Sequence, residues 1–201
     1  MVIDRLVRFP APEHTTEPIL GWRAWRVHRD DRGALRIAPT TPRPDWEPGV
    51  AMHARCSGSH TRMYMVFNPE LEATHRSPEP GCTCGLHAMK DPARLARGSR
   101  HAGVIGRVAM WGRVLEHTKG WRAEFAYPSR LRLICAWCLP RRRFPGTPDH
   151  VVEREAWLRP VCAEHATKLL IPGEEAAAAE IEAELLDTYG VEVLPAEAHA
   201  A

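Results

Sequence analysis

Hydrophobic and polar residues alternate along residues 103–138, the longest regular pattern in this chain. From 104 to 114, every second position is apolar or glycine, while Arg107 and Arg113 fall on the opposite face. Successive side chains of a β-strand point to opposite faces of the sheet, so this period of two predicts a strand. A polar turn at 117–120 predicts that this strand is the first arm of a β-hairpin.

The alternation continues over 121–127 and returns over 130–135, which predicts the second arm of the hairpin and then a third strand. The polar positions of these runs are expected to face outward: Arg122, Glu124, Arg130 and Arg132. Together with Arg107 and Arg113, they predict a basic sheet face on which Glu124 is the only acidic residue. Polyanions would bind such a face with a steep salt dependence.

Shorter apolar runs predict strands at 2–9, 19–28, 34–38, 50–56, 62–67 and 191–194. Capping and helix-breaking residues delimit four predicted helices, at 91–98, 148–158, 162–170 and 174–189. The last of these carries an apolar stripe of Ala177, Ile181 and Leu185 and ends before Gly190. Two proline-rich loops are expected, at 39–49 and 68–81.

The charge is distributed unevenly along the 201 residues. Eight acidic residues and no Lys or Arg lie from 174 to the end, so the first 173 residues hold 27 basic and 17 acidic residues, a balance of +10. This balance, with the run Arg141, Arg142 and Arg143, indicates a basic surface for nucleic acid or another polyanion. An arginine- and alanine-rich composition is also typical of a GC-rich genome.

No stretch approaches the roughly 20 apolar residues that cross a bilayer, and the N-terminal segment has no apolar core of a signal peptide. We therefore expect a cytoplasmic protein without membrane contacts. Thiols stay reduced in the cytoplasm, so the six cysteines are expected to be metal ligands or core residues rather than disulfides.

Two ligand pairs, Cys135-x2-Cys138 and Cys162-x2-His165, are separated by 23 residues. Zinc takes four thiolate or imidazole ligands in a tetrahedron, and two intervening residues let both members of a pair reach one ion. The first pair follows a predicted strand and the second opens a predicted helix. This order resembles a treble-clef zinc finger, and the resemblance implies a closed, structural site.

A second cluster places three cysteines and three histidines within 32 residues: Cys56, His60, His75, Cys82, Cys84 and His87. It predicts a second zinc site made of the three cysteines and His75, because the proline-rich loop that carries His75 has no other evident reason to be ordered. His60 and His87 remain alternatives for the fourth ligand. Spacing also leaves open a mixed site, in which Cys82 and Cys84 pair with Cys135 and Cys138.

Asp149-His150, between the two ligand pairs, resembles part of an HNH-type nuclease, in which a histidine activates water beside a divalent ion. The chain departs from that family's pattern: no proline closes the motif, no asparagine follows where the family has one, and the span from His150 to Cys162 is short. No serine-histidine-aspartate arrangement and no phosphate-binding glycine loop is present.

Several segments resemble a group of uncharacterised proteins common in actinobacteria and their phages. They are GWRAWRV, DWEPG, Cys82-Thr-Cys84-Gly, GRVAMWGRV and GWRAEFAYP, which together span roughly residues 19–138. The resemblance implies a folded cytosolic module with this composition, and it brings no activity with it.

We therefore predict an α+β fold: a twisted antiparallel sheet or small open β-barrel, a zinc-knuckle segment and a C-terminal amphipathic helix. The expected regions are a β-rich core with the second zinc site (1–134), the treble-clef-like knuckle (135–172) and the helix with its acidic tail (173–201). The function predicted first is a non-catalytic binding module with one or two zinc ions, which contacts nucleic acid through Arg107, Arg113, Arg130, Arg132 and Arg141–Arg143. The alternatives are a protein-interaction adaptor that uses the acidic helix, and a degenerate HNH-type nuclease that depends on His150.

Overall fold

The computed structural model describes residues 17–40, 44–56, 75–97, 102–139, 146–154, 156–169 and 175–195. Within these ranges the chain is dominated by β-sheet with few helices, which confirms the predicted α+β class. The strands are β1 (Ile19–Arg29), β2 (Leu35–Pro39), β3 (Met52–His53), β4 (Leu86–Met89), β5 (Val104–His117), β6 (Gly120–Leu133), β7 (His150–Arg154), β8 (Trp157–Val161), β9 (Glu175–Ala177) and β10 (Glu192–Val193). The helices are a 3-10 helix (Pro92–Arg97), α1 (Ala163–Leu169) and α2 (Ala178–Tyr189). None of these described helices has the length and apolar character required to cross a membrane.

The chain divides into two compact units. The first unit comprises Met1–Gly21, Ala51–Lys90 and Val108–Tyr127, and the second comprises Trp22–Val50, Asp91–Arg107 and Pro128–Ala201. Strands β1, β5 and β6 each contribute residues to both units.

In the first unit, β6 is the strand on which its neighbours pair. Strand β4 runs antiparallel to it with Leu86 opposite Ala123, and β3 runs antiparallel to it with Met52 opposite Ala126. Met110 on β5 and Ala123 on β6 are almost completely buried. This pairing places the loop that precedes β4 beside the first half of β6.

The alternation of β5 is interrupted at Gly112, which has a φ of +75°. Buried residues on either side of it, Met110 and Leu115, are an odd number of positions apart, so the buried face changes between them. Glycine adopts this left-handed conformation without steric cost, as in a β-bulge. Val114, which the pattern placed on the apolar face, is consequently only half-buried.

The residues predicted as a third strand are extended over 130–133, with Leu131 and Leu133 buried as predicted, but they continue the second strand, because β6 runs without a break from Gly120 to Leu133. Parallel pairing with β10, with Glu192 opposite Arg130, keeps its last residues extended. The short edge strand predicted at 191–194 is thereby confirmed, as is β1.

In the second unit, β1 and β2 form an antiparallel pair, and β8 joins β1 with Leu158 opposite Val27. The helix predicted at 148–158 is wrong: these residues form most of the β7–β8 hairpin, with Ala156 at a φ of +62° in the turn. Strand β9 pairs with the other edge of β7. Hydrogen bonds on both edges of β7 outweigh the capping residues that predicted a helix.

Helix α2 begins at Ala178, four residues later than predicted, because residues 175–177 form β9. Its buried face is Ala178, Ile181, Leu185 and Tyr189, and Gly190 ends it in the left-handed conformation, as predicted. The buried Tyr189 hydroxyl accepts a hydrogen bond from the Ile37 amide and donates one to the Trp46 carbonyl. These bonds tie the end of α2 to β2 and to the loop after it.

Other predictions lie outside the described residues, namely the strands at 2–9 and 62–67 and the first half of the loop at 68–81. The strand predicted at 50–56 is reduced to the two residues of β3. The helix predicted at 91–98 is a 3-10 helix, and its predicted cap is present, since the Asp91 carboxylate accepts the Ala93 amide proton at 2.9 Å.

Candidate metal centres

The second unit brings together the two ligand pairs of the predicted knuckle, which we call the knuckle centre: Cys135, Cys138, Cys162 and His165. One ligand atom from each lies within 4.8 Å of the other three. Nδ1 of His165 lies 3.3 Å from Sγ of Cys162, 3.5 Å from that of Cys138 and 3.6 Å from that of Cys135. Cys135 and Cys138 have no exposed surface, Cys162 is 9% exposed and His165 is 5% exposed.

Local backbone structure holds the ligands of the knuckle centre in place. The amide of Cys138 donates to the carbonyl of Cys135 at 3.0 Å, so a tight turn after β6 points both thiols the same way. The second pair opens α1, where positions three residues apart share a face of the helix. The Asp149 carboxylate accepts the Ala163 amide proton at 2.7 Å and so satisfies one of the free amides at the start of α1.

The spacing of the ligand atoms fits a tetrahedral zinc ion. At the usual zinc–ligand distances, two sulfurs lie about 3.8 Å apart and a sulfur and a nitrogen about 3.6 Å apart. The sulfurs of Cys138 and Cys162 are 3.8 Å apart, and the three sulfur–nitrogen distances range from 3.3 to 3.6 Å. Burial raises the pKa of Cys135 to about 12, so a metal ion must displace its proton on binding.

The first unit contains a similar set, which we call the loop centre: Cys56, His75, Cys82 and Cys84. One ligand atom from each again lies within 4.8 Å of the others. The sulfurs of Cys56 and Cys82 are 3.8 Å apart, and Nε2 of His75 is 3.3 Å from the sulfur of Cys84. Cys82 and Cys84 are buried, whereas Cys56 and His75 are half-buried. The loop centre is therefore more accessible than the knuckle centre.

Two thiols of the loop centre differ in acidity. Burial raises the pKa of Cys82 to about 11. Burial opposes ionisation of Cys84 as well, but the side chains of Ser77 and His75 beside it outweigh this effect and lower its pKa. Cys84 is thus the more readily ionised of the two thiols.

The two groups of residues bear on two questions that the sequence spacing left open: which histidine joins Cys56, Cys82 and Cys84, and whether cysteines of the two groups mix. His87 is exposed and its Nε2 donates to the Thr83 carbonyl at 3.0 Å, while His60 lies outside the described residues. Cys82 and Cys84 group with Cys56 and His75 rather than with the cysteines of the knuckle. All six cysteines are described, and all are free thiols rather than disulfides.

Arg122 and Glu124 were predicted to face outward, and this prediction is wrong: each is 4% exposed. Nη1 of Arg122 donates to the carbonyls of Cys82 and Cys84, and its Nε donates to Nε2 of His117 at 2.7 Å. Arg76 donates two hydrogen bonds of 2.7 Å to the Glu124 carboxylate and lowers its pKa, although burial opposes this. Sequence reasoning missed both roles, and the only signal was a pair of opposite charges two residues apart, since the proximity of this pair to Cys82 and Cys84 arises only in the fold.

The arginines predicted to bind nucleic acid have partners within the protein. Arg113 pairs with Glu79 and Arg130 pairs with Glu192, each at 3.0 Å. The prediction of a basic face with Glu124 as its only acidic residue is therefore wrong. Glu124 is buried, and Glu79 and Glu192 neutralise Arg113 and Arg130. Arg132 donates to the Leu194 carbonyl at 3.2 Å, and the Arg107 guanidinium lies 4.7 Å from the centre of the Trp22 ring. Arg141, Arg142 and Arg143 lie outside the described residues.

The acidic residues of α2 and the Asp149-His150 pair, on which the two alternative functions depend, also make contacts within the protein or lie next to residues that do. Glu184 on α2 forms two hydrogen bonds with Arg29, at 2.6 and 2.8 Å, and Glu182 accepts the Leu133 amide proton at 2.7 Å. Part of the acidic surface of the helix is thus used inside the second unit. His150 is the first residue of β7, directly after the Asp149 that caps α1.

The pattern of elements and ligand sets has no counterpart in the comparisons with known proteins, so the resemblance to actinobacterial and phage proteins stays a prediction. No protein-family model, no curated protein and no solved structure matches this chain.

Proposed function

We propose that this protein is a non-catalytic binding module whose fold is stabilised by zinc at the knuckle centre and at the loop centre. The observation that carries the proposal is the convergence of four protein ligands at each centre. Four protein ligands complete the tetrahedral coordination of zinc and leave no position for water or substrate. Both centres are therefore structural, and the activity of the module is binding.

Zinc is the metal that best suits these ligands. Thiolates with one imidazole in a tetrahedral arrangement select zinc over magnesium, calcium and manganese, which prefer oxygen ligands. A pair in a tight turn after a strand and a second pair at the start of a helix also resemble the order of ligands in a treble-clef finger. The knuckle centre would join the end of β6 to α1 as one cooperative unit.

Nucleic acid is the partner that we propose, with Arg141, Arg142 and Arg143 as the first contacts. The residues that flank this run belong to the knuckle: Leu139 is 3% exposed, and a Cβ placed on Gly146 would lie 3.5 Å from the sulfurs of Cys138 and Cys162. Three adjacent guanidinium groups could contact successive phosphates, because each planar guanidinium matches the geometry of phosphate oxygens. The basic balance of +10 over residues 1–173 would attract the same partner.

The remaining candidate arginines would contribute less, because each already has a partner. Arg113 and Arg130 would have to exchange a carboxylate for a phosphate, and Arg107 would have to leave a half-buried position over Trp22. We therefore expect Arg141, Arg142 and Arg143 to contribute more to binding than Arg107, Arg113, Arg130 and Arg132.

Elemental analysis and a gel-shift series test the two parts of the proposal separately. Purified protein should contain two zinc ions per chain, and a metal-free protein that is folded would refute the zinc assignment. Three phosphate contacts predict a salt slope of about −2.7, which is roughly a 40-fold loss of affinity for duplex DNA between 50 and 200 mM salt. Replacing Arg141–Arg143 by glutamine should remove most of that slope, whereas Arg113→Gln, the matched control, should leave it nearly unchanged.

Two results would overturn the nucleic-acid assignment. Binding that is absent at 50 mM salt, or that does not respond to salt, would exclude phosphate contacts. Plasmid nicking in Mg²⁺ or Mn²⁺ that disappears in His150→Ala would replace the binding module with a nuclease.

A further inference from the structure

Arg122 is a charged residue inside the first unit that the zinc assignment does not use as a ligand. We propose that Arg122 is a positioning residue of the loop centre, whose guanidinium holds the Cys82–Cys84 segment in the conformation that binds metal. This inference rests on the proposed zinc site, and it adds a residue outside the four ligands on which the affinity of that site depends.

The hydrogen bonds of Arg122 converge on the ligand loop. One nitrogen, Nη1, donates to the carbonyl of Cys84 at 2.9 Å and to the carbonyl of Cys82, and it reaches the Glu79 carbonyl at 3.5 Å. The carbonyls of two ligands therefore point toward one donor, which forces the main chain between them to curve. Nε of Arg122 also donates to Nε2 of His117, so hydrogen bonds from two different nitrogens fix the orientation of the guanidinium.

Strand pairing places Arg122 beside this loop. In the register of β4 and β6, His87 is opposite Arg122, so the loop that ends at Gly85 leaves the strand pair next to the guanidinium. Gly85 has a φ of +123°, and a Cβ there would lie 3.0 Å from the Cβ atoms of Arg122 and Pro78. The loop is thus packed tightly against the stem of Arg122.

The charge of Arg122 matches what a metal at the loop centre would require. Three thiolates and a neutral imidazole around a divalent ion carry a net charge of −1, and a buried charge is costly unless an opposite charge lies close. Arg122 supplies a positive charge, and at 4% exposed surface it acts where water screens little. An ammonium group would supply the charge without the fixed, planar arrangement of donors.

The test compares Arg122→Met and Arg122→Lys with Arg113→Met, a matched control. Arg113 lies on the neighbouring strand of the same unit and bonds to the Glu79 carboxylate instead of the ligand carbonyls. Zinc-loaded proteins are treated with increasing chelator and then alkylated, and peptide mapping identifies which cysteines have become reactive. Cobalt-loaded proteins are compared by their visible absorption bands, which report the geometry of the thiolates around the ion.

Arg122→Met should weaken zinc binding at the loop centre by about 10- to 100-fold, as do other losses of groups that orient metal ligands. Cys56, Cys82 and Cys84 should be alkylated at correspondingly lower chelator concentrations, while Cys135, Cys138 and Cys162 stay protected. The cobalt bands of the loop centre should shift, and Arg122→Lys should recover part of the loss because it keeps the charge. Arg113→Met should stay within about twofold of the wild type.

Three results would contradict the inference. An unchanged affinity and spectrum in Arg122→Met would show that the centre forms without the guanidinium. Exposure of all six cysteines together would assign Arg122 to the fold as a whole, and an equal loss in Arg113→Met would remove its specific role. If the wild type itself leaves Cys56, Cys82 and Cys84 unprotected at excess zinc, the proposed zinc site fails, which is a separate result.

Discussion

The stability of the folded chain should depend on zinc with a slope that counts the metal centres. An ion that binds only the folded state stabilises it by about 1.4 kcal/mol for each tenfold rise in its free concentration, once that concentration exceeds the dissociation constant. Two centres with four ligands each therefore predict about 2.7 kcal/mol per tenfold change. This magnitude follows from the number of centres alone and does not require either affinity.

The measurement is urea-induced unfolding at a series of buffered free zinc concentrations, monitored by tryptophan fluorescence and far-ultraviolet circular dichroism. If the chain unfolds in one transition, the free energy of unfolding should rise with the full slope. If the two compact units unfold in separate transitions, each transition should show about 1.4 kcal/mol per tenfold change, because each unit holds one centre.

Two histidines provide a matched pair of variants. His75→Ala removes a ligand of the loop centre and should lower the total slope to about half, while His87→Ala should leave it unchanged because His87 bonds to the Thr83 carbonyl instead. His165→Ala should likewise remove the contribution of the knuckle centre. A slope near zero in the wild type would refute the metal centres, and a lost slope in His87→Ala would show that the wrong histidine had been assigned.

Three further predictions concern the supports of the fold. Tyr189→Phe keeps the ring but leaves a buried main-chain amide and a buried carbonyl without their partner, so the free energy of unfolding in urea should fall by about 2–4 kcal/mol; a change below about 0.5 kcal/mol would contradict this account. Asp149→Ala removes the acceptor for the Ala163 amide and should cost about 1 kcal/mol of stability, seen as roughly fivefold earlier release of zinc from the knuckle centre in a chelator titration; unchanged release would show that α1 needs no cap. The Arg76 side chain lowers the pKa of Glu124, so this group stabilises the fold above its ordinary pKa of 4.5 and the contribution is lost as the pH falls through the lowered value. Glu124→Gln should therefore flatten the acid side of the stability–pH profile, and an equally steep profile would exclude this carboxylate as its cause.

The elements that the sequence predicts best are those whose signal is local. The hairpin of β5 and β6 follows from a period of two over many residues, and the stop of α2 follows from one glycine. The grouping of Cys135, Cys138, Cys162 and His165 belongs to the same class, since two residues between the members of each pair restrict where both side chains can point. His75 was predicted as a ligand on a different ground, because its proline-rich loop had no other evident reason to be ordered. In the structure it lies beside Cys84.

The two segments that were wrongly predicted as helix pair with each other as β7 and β9, which are distant in the chain, although β7 also pairs with its neighbour β8. Residues 148–158 have good helix-capping residues, yet β7 pairs with β8 on one edge and with β9 on the other. Residues 175–177 were likewise predicted as the first turn of a helix from local sequence, but they form β9 and pair with β7. A hydrogen bond to a strand far away in sequence leaves no trace in the local pattern, so propensity alone favoured the helix in both cases.

The face of β6 that carries Arg122 and Glu124 shows how a covering loop can reverse a prediction made from alternation. Alternation indicates which residues share a face, but it does not indicate whether that face is covered. Cys82 and Cys84 lie in a loop without regular structure, which Arg122 bonds to β6 through the carbonyls of both cysteines. A metal ion that joins them to Cys56 and His75 would hold that loop close to β6 and bury the polar residues that alternation had placed outside. The cysteine cluster and the charged residues Arg122 and Glu124 should therefore be interpreted together. Residues that face the loop must be able to pair with its carbonyls and side chains, as Arg122 does with the Cys84 carbonyl and Glu124 does with Arg76.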